Sequence, residues 1–190
     1  MNDGTVIPGP HRQLVLSFVL LATVIASLLA APGADGLLGA FLSALMLAIA
    51  LIDWRRYIIP NELTGAAVVL ALVRAGAVGP DADWQTLAWT ALRGAATAIP
   101  FLALMIGYRR WRGRDGLGLG DVKLAAVAGV WLNFVTIFVA VELAALSALC
   151  AYFVSGYLRN RPPSATALLP FGLFLAPAIW IGWLVEALLS

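Results

Sequence analysis

The sequence contains little charge and almost no cysteine or histidine. Only 12% of its 190 residues are charged and 62% are hydrophobic, with a mean hydropathy of +0.94. Soluble domains carry about 25% charged residues, so these few do not cover a soluble surface. The single cysteine, Cys150, forms neither an internal disulfide nor a CxxC zinc site, and the single histidine is His11. Redox and structural-zinc proteins are therefore excluded, and the net charge of +2 does not indicate nucleic-acid binding.

Long apolar runs predict an all-α polytopic membrane protein with six or seven transmembrane helices. The run from Val122 to Leu158 is too long for one crossing at about 1.5 Å per residue, so we divide it near Asn133. The predicted segments are Leu14–Ala31, Leu37–Ile52, Leu63–Val78, Leu87–Tyr108 with a bend at Pro100, the two halves of Val122–Leu158, and Ala167–Leu189. We expect residues 1–13 to form a short cytoplasmic tail and residues 14–190 a single transmembrane domain.

The basic residues predict the orientation, because short cytoplasmic loops are enriched in Lys and Arg. With the N-terminus inside, ten of the twelve basic residues lie in cytoplasmic connections: Arg12, Arg55, Arg56, Arg109, Arg110, Arg112, Arg114, Lys123, Arg159 and Arg161. The opposite connections, APGADG and GPDADWQ, contain no Lys or Arg. Alternatively, the first segment is a cleaved signal, since LLAAPGA has small residues typical of a cleavage region.

Two cytoplasmic connections contain unusual polar residues. In DWRRYIIPNELT, Asp53 stands where an apolar run stops, Pro60 favours an extended backbone, and Asn61 is a candidate helix cap. In GLGLGDVKL, glycines at 116, 118 and 120 allow close approach to Asp121, whose ionised form is favoured near a helix N-terminus. Each stretch alone also fits a plain structural feature: a polar helix end with a Pro-Asn turn, and a glycine-rich linker with an Asp cap.

The number of crossings places the two aspartates together. Two segments lie between Asp53 and Asp121, so both carboxylates return to the same face of the membrane at similar depth. Paired carboxylates that share one proton form the catalytic dyad of aspartic proteases. Such a dyad needs no metal, cysteine or histidine, and we expect no cofactor and no metal site.

These stretches resemble the signatures of the prepilin peptidases, the type IV leader peptidase family of membrane aspartyl proteases. IDWRRYIIPNELT is similar to the family pattern D…IPN.LT, and GLGLGDVKLAA is similar to GxGD.KL. A third stretch, LLPFGLFLAPA from Leu168 to Ala178, looks like the family's PFGPFLA segment, with Leu173 where a second Pro often stands. The resemblance extends over roughly residues 50–177.

The resemblance implies a GxGD-type membrane protease of the bacterial inner membrane. Its substrate would be a type IV prepilin or pseudopilin-like membrane protein, cut after its basic leader on the cytoplasmic side. Matched residue by residue, Asp53 and Asp121 correspond to the catalytic aspartates. The PN pair and the GxGD glycines correspond to Pro60, Asn61, Gly118 and Gly120. Lys123 is a candidate either for orienting the dyad or for binding lipid phosphate.

One departure from the family narrows the expected activity. Larger bifunctional members carry a cytoplasmic loop with paired CxxC motifs that supports N-methylation, whereas this sequence has a single cysteine. The resemblance therefore implies the short, peptidase-only type, such as those of tight-adherence pilus systems, and methyltransferase activity is not expected.

Two further charges lie within predicted segments. Glu142 and Arg93 fall at comparable depth, and we expect them to form a structural ion pair.

Two other classes of function remain open at this point. One is a small proton-coupled transporter using Asp53, Asp121 and Glu142, although transporter acids are expected near the midplane of the bilayer. The other is a non-catalytic membrane subunit of a pilus or secretion assembly.

Overall fold

The computed structural model describes residues 10–78, 81–113, 118–158 and 169–189, all of its regular elements being helical. The α-helices are α1 (Pro10–Ala30), α2 (Gly33–Arg56), α3 (Asn61–Val73), α4 (Trp84–Arg112), α5 (Leu119–Trp131), α6 (Phe134–Leu158) and α7 (Phe171–Leu189). A π-helical turn, Arg74–Val78, extends α3. Gly116, Arg114, Arg159 and Arg161, on which part of the sequence interpretation rests, lie outside the described residues.

The predicted all-helical membrane architecture is confirmed. Within the described ranges, six helices are long and apolar enough to cross a membrane, with α3 and its π turn counted as one. The division near Asn133 is also confirmed, because α5 ends at Trp131 and α6 begins at Phe134. Helix α5 has 13 residues, or about 20 Å of helix, and falls short of the roughly 30 Å hydrocarbon layer.

The helix boundaries differ from the predicted ones at several ends. Helix α1 begins at Pro10, and α2 begins at Gly33, both earlier than the first strongly apolar residue. Helix α4 continues through Pro100 to Arg112 as a single element. The last helix begins at Phe171, and residues 167–168, where we expected it to start, lie outside the described part of the chain.

Helix α5 lies at the centre of the bundle. Leu124, Val127 and Ala128 have no exposed surface, and Trp131 at its end is 1% exposed. Helices α3, α4 and α7 pack around it, while α2 packs between α1 and α7. Helix α6 packs mainly on α7. Three helices therefore form the interior of the molecule: α2, α5 and α7.

The predicted ion pair between Arg93 and Glu142 is wrong. Arg93 donates from Nε to the carbonyl oxygen of Gly129 at 2.7 Å, which ties α4 to α5. Glu142 is exposed on α6, and α4 and α6 make no contact. The two residues were predicted to lie at the same depth in the membrane. Equal depth did not bring their side chains together, because α4 and α6 lie on different sides of the bundle.

Candidate active site

Asp53 lies one turn before the end of α2 and is buried, with 5% of its surface exposed. The helix ends with Tyr57 in the left-handed conformation at φ 55°, and the Tyr57 amide donates to the Asp53 carbonyl at 2.9 Å. This reversal is unusual for a residue with a bulky side chain. It turns the chain back so that Ile59, two residues later, is also buried.

The carboxylate of Asp53 is bound by the beginning of α7. The Leu173 amide donates to Asp53 Oδ2 at 3.0 Å. Gly172 allows this approach, because a Cβ at that position would lie 2.9 Å from Asp53 Oδ2 and 2.8 Å from Ile59 Cδ1. The start of α7 thus forms one wall of the candidate site. Sequence reasoning noted the PFG stretch by resemblance but gave it no role.

Asp121 lies in the first turn of α5, as the sequence predicted. The Gly118 amide donates to Asp121 Oδ2 at 3.2 Å, so the carboxylate caps its own helix. Burial raises the pKa of Asp121 to about 6, the Gly118 amide opposes that rise, and the negative charge of Asp53 adds to it. Asp121 lies outside the six candidate spans. The expected preference for its ionised form is thus offset by burial.

Ile59 joins the two aspartates into one site. Its side chain lies against Gly172, which borders Asp53, and against Gly120, which precedes Asp121. A Cβ on Gly120 would lie 2.9 Å from Ile59 Cβ. The structure therefore brings Asp53 and Asp121 to the same end of the bundle, here called the Asp53 end. Sequence reasoning missed Ile59, although it stands inside the IIPN motif.

The residues after Ile59 connect α3 to α5. Asn61 was predicted to cap α3, and this is wrong: the cap position is Pro60, which has no side-chain donor or acceptor. Instead, Asn61 Oδ1 accepts a hydrogen bond from Lys123 Nζ, two residues beyond Asp121. Thr64 Oγ1 donates to the Pro60 carbonyl at 3.2 Å and so closes the first turn of the helix.

No group of three or more His, Cys, Asp and Glu side chains suited to a metal ion occurs in the described ranges. The described chemical groups around Ile59 include the two carboxylates, backbone amides, the Asn61 side-chain amide and the Lys123 ammonium group. Two neighbouring carboxyl groups that are partly shielded from water share one proton. The ionised group is then a general base and the protonated group a general acid. The arrangement is therefore suited to the attack of water on a carbonyl group.

Comparison with known proteins decides the family. The model of the type IV leader peptidase family matches residues 40–154, a range that contains both aspartates. The chain belongs to the type IV leader peptidase family. It is accordingly a membrane peptidase, and the sequence interpretation is confirmed at that level.

Curated relatives in this family differ in length. Leader peptidase HopD of Escherichia coli is 35% identical over 132 residues, which cover 69% of this chain and 82% of HopD. A prepilin leader peptidase/N-methyltransferase of Aeromonas salmonicida is 28% identical over 172 residues, which cover 90% of this chain but only 57% of that protein. The chain thus spans little more than half of the bifunctional relative. No solved structure gives a significant match.

Proposed function

We propose that this protein is an aspartyl endopeptidase that removes the basic leader from type IV prepilin or pseudopilin-like precursors. The cut is made on the cytoplasmic side of the bacterial inner membrane. The observation that carries the proposal is the meeting of Asp53 and Asp121 around Ile59 at one end of the bundle. The names of the relatives support the substrate class, since several of them are prepilin leader peptidases.

In the proposed reaction, Asp53 is the base and Asp121 carries the shared proton. Both carboxylates accept a backbone amide hydrogen bond, Asp53 from Leu173 and Asp121 from Gly118. We assign the proton to Asp121 because burial, together with the negative charge of Asp53, raises the pKa of Asp121 to about 6. Asp53 takes a proton from water as the water oxygen attacks the scissile carbonyl carbon. Asp121 at the same time gives its proton to the carbonyl oxygen, so a neutral tetrahedral diol forms.

The second half of the reaction restores both groups. Asp53 gives its new proton to the leaving nitrogen as the carbon–nitrogen bond breaks, and Asp121 recovers a proton from one hydroxyl of the diol. The products are a carboxylic acid on the leader and a free amine on the mature protein. The two carboxyls titrate as a coupled pair, so the pH profile will report properties of the pair.

Other polar residues at the Asp53 end shape the substrate site in this proposal. Gly118 leaves space beside Asp121 for the backbone of an extended peptide, because it has no side chain. Gly120 shapes the site in another way, since the room left by its missing side chain is filled by Ile59. The Lys123–Asn61 hydrogen bond fixes the IPN turn against α5. We therefore assign Lys123 a positioning role here, in place of binding lipid phosphate.

The proposal includes peptidase activity alone. The CxxC motifs that the resemblance associates with N-methylation do not occur in this sequence, which has a single cysteine. Membranes containing the protein should convert a pilin-like precursor to its mature form and should not transfer a methyl group from S-adenosylmethionine to the new N-terminus. Accumulation of precursor as the sole species would count against the peptidase assignment.

The orientation of the protein is tested by cysteine labelling. In a Cys150→Ser background, Glu62→Cys should react with an impermeant thiol reagent only from the cytoplasmic side. Asp81→Cys should react only from the opposite side, because α3 separates it from position 62. Both side chains are exposed. Labelling of positions 62 and 81 from the same side would contradict the proposed topology.

Resistance to chelators and to a thiol-blocking reagent is a further expected result. Because both proposed catalytic groups are carboxylates, EDTA, 1,10-phenanthroline and N-ethylmaleimide should leave precursor cleavage within about twofold of the untreated rate. The measurement is the initial rate in membranes before and after treatment. A loss that added zinc restores would mean that a metal, and not the aspartate pair, activates the water.

A further inference from the structure

An ion pair joins α2 to α3 at the end of the bundle opposite Asp53. Arg74, the first residue of the π-helical turn, donates from Nε and Nη2 to the two carboxylate oxygens of Asp35, the second contact measuring 3.2 Å. Both side chains are largely covered, with 31% and 22% exposed. A two-point contact between guanidinium and carboxylate fixes orientation as well as distance.

Arg74 also contacts the end of α5. Its guanidinium lies over the ring of Trp131 with 6.0 Å between the guanidinium carbon and the ring centroid. Trp131 in turn donates from Nε1 to the Ala67 carbonyl at 2.9 Å in a buried hydrogen bond. The last residue of α5 is therefore held both by α3 and by the π turn that follows it.

The contacts continue through α7 and return to α2. Trp131 and Trp183 pack edge to face with their ring centroids 6.4 Å apart. Trp183 lies directly on Gly39, where no Cβ fits. Gly39 stands one helical turn after Asp35 on α2, so the series of contacts that began at Asp35 returns to the same helix and forms a closed ring. We call Asp35, Arg74, Trp131, Trp183 and Gly39 the distal ring.

The helices joined by the distal ring are those that form the candidate active site. Helix α2 carries Asp53, α5 carries Asp121, and α7 supplies the Leu173 amide that binds Asp53. Asp121 and Trp131 are ten residues apart on one short helix, or about 15 Å. A rigid helix that tilts or slides at one end must move at the other. The ring is thus placed to control the distance between the two carboxylates.

We propose that the distal ring sets the spacing of Asp53 and Asp121, and that Arg74 and Trp131 are positioning residues for the peptidase reaction. The inference rests on the proposed function, because it assigns both carboxylates to one reaction. Neither residue touches the site. Their effect is on geometry, and a displacement of about 1 Å at a catalytic site lowers turnover by up to about a hundredfold.

The first test measures steady-state cleavage by full-length variants in proteoliposomes. Arg74→Lys keeps the charge but loses the two-point contact, Arg74→Met loses both, and Asp35→Asn breaks the pair from the other side. Each should lower kcat by about tenfold or more while KM stays within about twofold. Asp81→Asn is the control for Asp35→Asn, because it makes the same Asp-to-Asn substitution outside the distal ring. It should leave both kcat and KM unchanged.

The second test measures spacing without any cleavage. Asp53→Cys and Asp121→Cys are combined in a Cys150→Ser background, and a short bis-maleimide, which alkylates one thiol at each end, reports how often the two positions come within reach. Adding Arg74→Met should lower the cross-linked fraction severalfold, and adding Asp81→Asn should leave it unchanged. If Arg74→Met does not accumulate in the membrane, Arg74→Lys serves in its place.

The two tests separate the two proposals. Unchanged kcat and unchanged cross-linking in the Arg74 and Asp35 variants would overturn the positioning role. Lower protein yield with normal kcat per inserted molecule would overturn it too, since the ring would then serve stability alone. A cross-linking change together with no cleavage by the wild-type protein would uphold the positioning role and refute the proposed peptidase function. Reduced kcat with reduced cross-linking supports both.

Discussion

Asp53→Asn and Asp121→Asn are each expected to lower precursor cleavage by about a thousandfold or more. Asn has nearly the size of Asp but neither takes up nor gives a proton as a carboxyl group does. Because catalytic residues that act as a unit are non-additive, the double variant should be little worse than either single variant. The measurement is the initial rate of precursor conversion in membranes with equal amounts of each protein.

Matched controls show whether the loss is specific to these two carboxyls. Glu142→Gln changes an exposed acid on α6, and Asp81→Asn changes an acid beyond the distal end of α3. Both should cleave at nearly the wild-type rate. All variants should insert normally, since replacing a carboxylate by a neutral amide does not raise the cost of membrane insertion. Loss of cleavage in Glu142→Gln with activity retained in both Asn variants would refute the assignment.

Gly172→Ala is expected to lower cleavage by about tenfold to a hundredfold. The added Cβ would lie 2.9 Å from Asp53 Oδ2 and 2.8 Å from Ile59 Cδ1, so either the carboxylate or the isoleucine has to move. Moving Asp53 would also strain its hydrogen bond from the Leu173 amide. The loss should appear in kcat, because a displaced base slows the chemical step.

Gly65→Ala is the matched control for this substitution. It makes the same change in the exposed part of α3, where an added Cβ meets nothing within 4 Å. Because Ala is a better helix former than Gly, this variant should be as active as wild type and slightly more resistant to heat. Full activity of Gly172→Ala would show that the start of α7 does not constrain Asp53.

The sequence was sufficient to predict those structural features that depend on the local order of apolar, charged and glycine residues along the chain. Apolar run length predicts the helices, and the excessive length of the run from Val122 to Leu158 predicts its division near Asn133. The location of Asp121 in the first turn of α5 follows from the glycines before it. That Asp53 and Asp121 share one end of the bundle follows from the number of crossings between them.

Features that depend on how helices pack were missed or predicted wrongly. Arg93 and Glu142 have matching depth, but depth says nothing about which helices are neighbours. Asn61 looked like a cap, yet its oxygen accepts a hydrogen bond from Lys123, more than 60 positions away along the chain. The contact of Leu173 with Asp53 joins residues 120 positions apart, and no local pattern predicts such a contact.

The most direct test is cleavage by the purified protein alone. The chain is reconstituted in liposomes with a purified prepilin-like precursor in the presence of EDTA, and both products are identified by mass spectrometry. We predict a leader peptide with a free carboxyl group and a mature protein with an unmethylated amine, and neither product with the Asp53→Asn and Asp121→Asn double variant. An intact precursor with the correctly inserted wild-type protein, or equal cleavage by the double variant, would contradict the account.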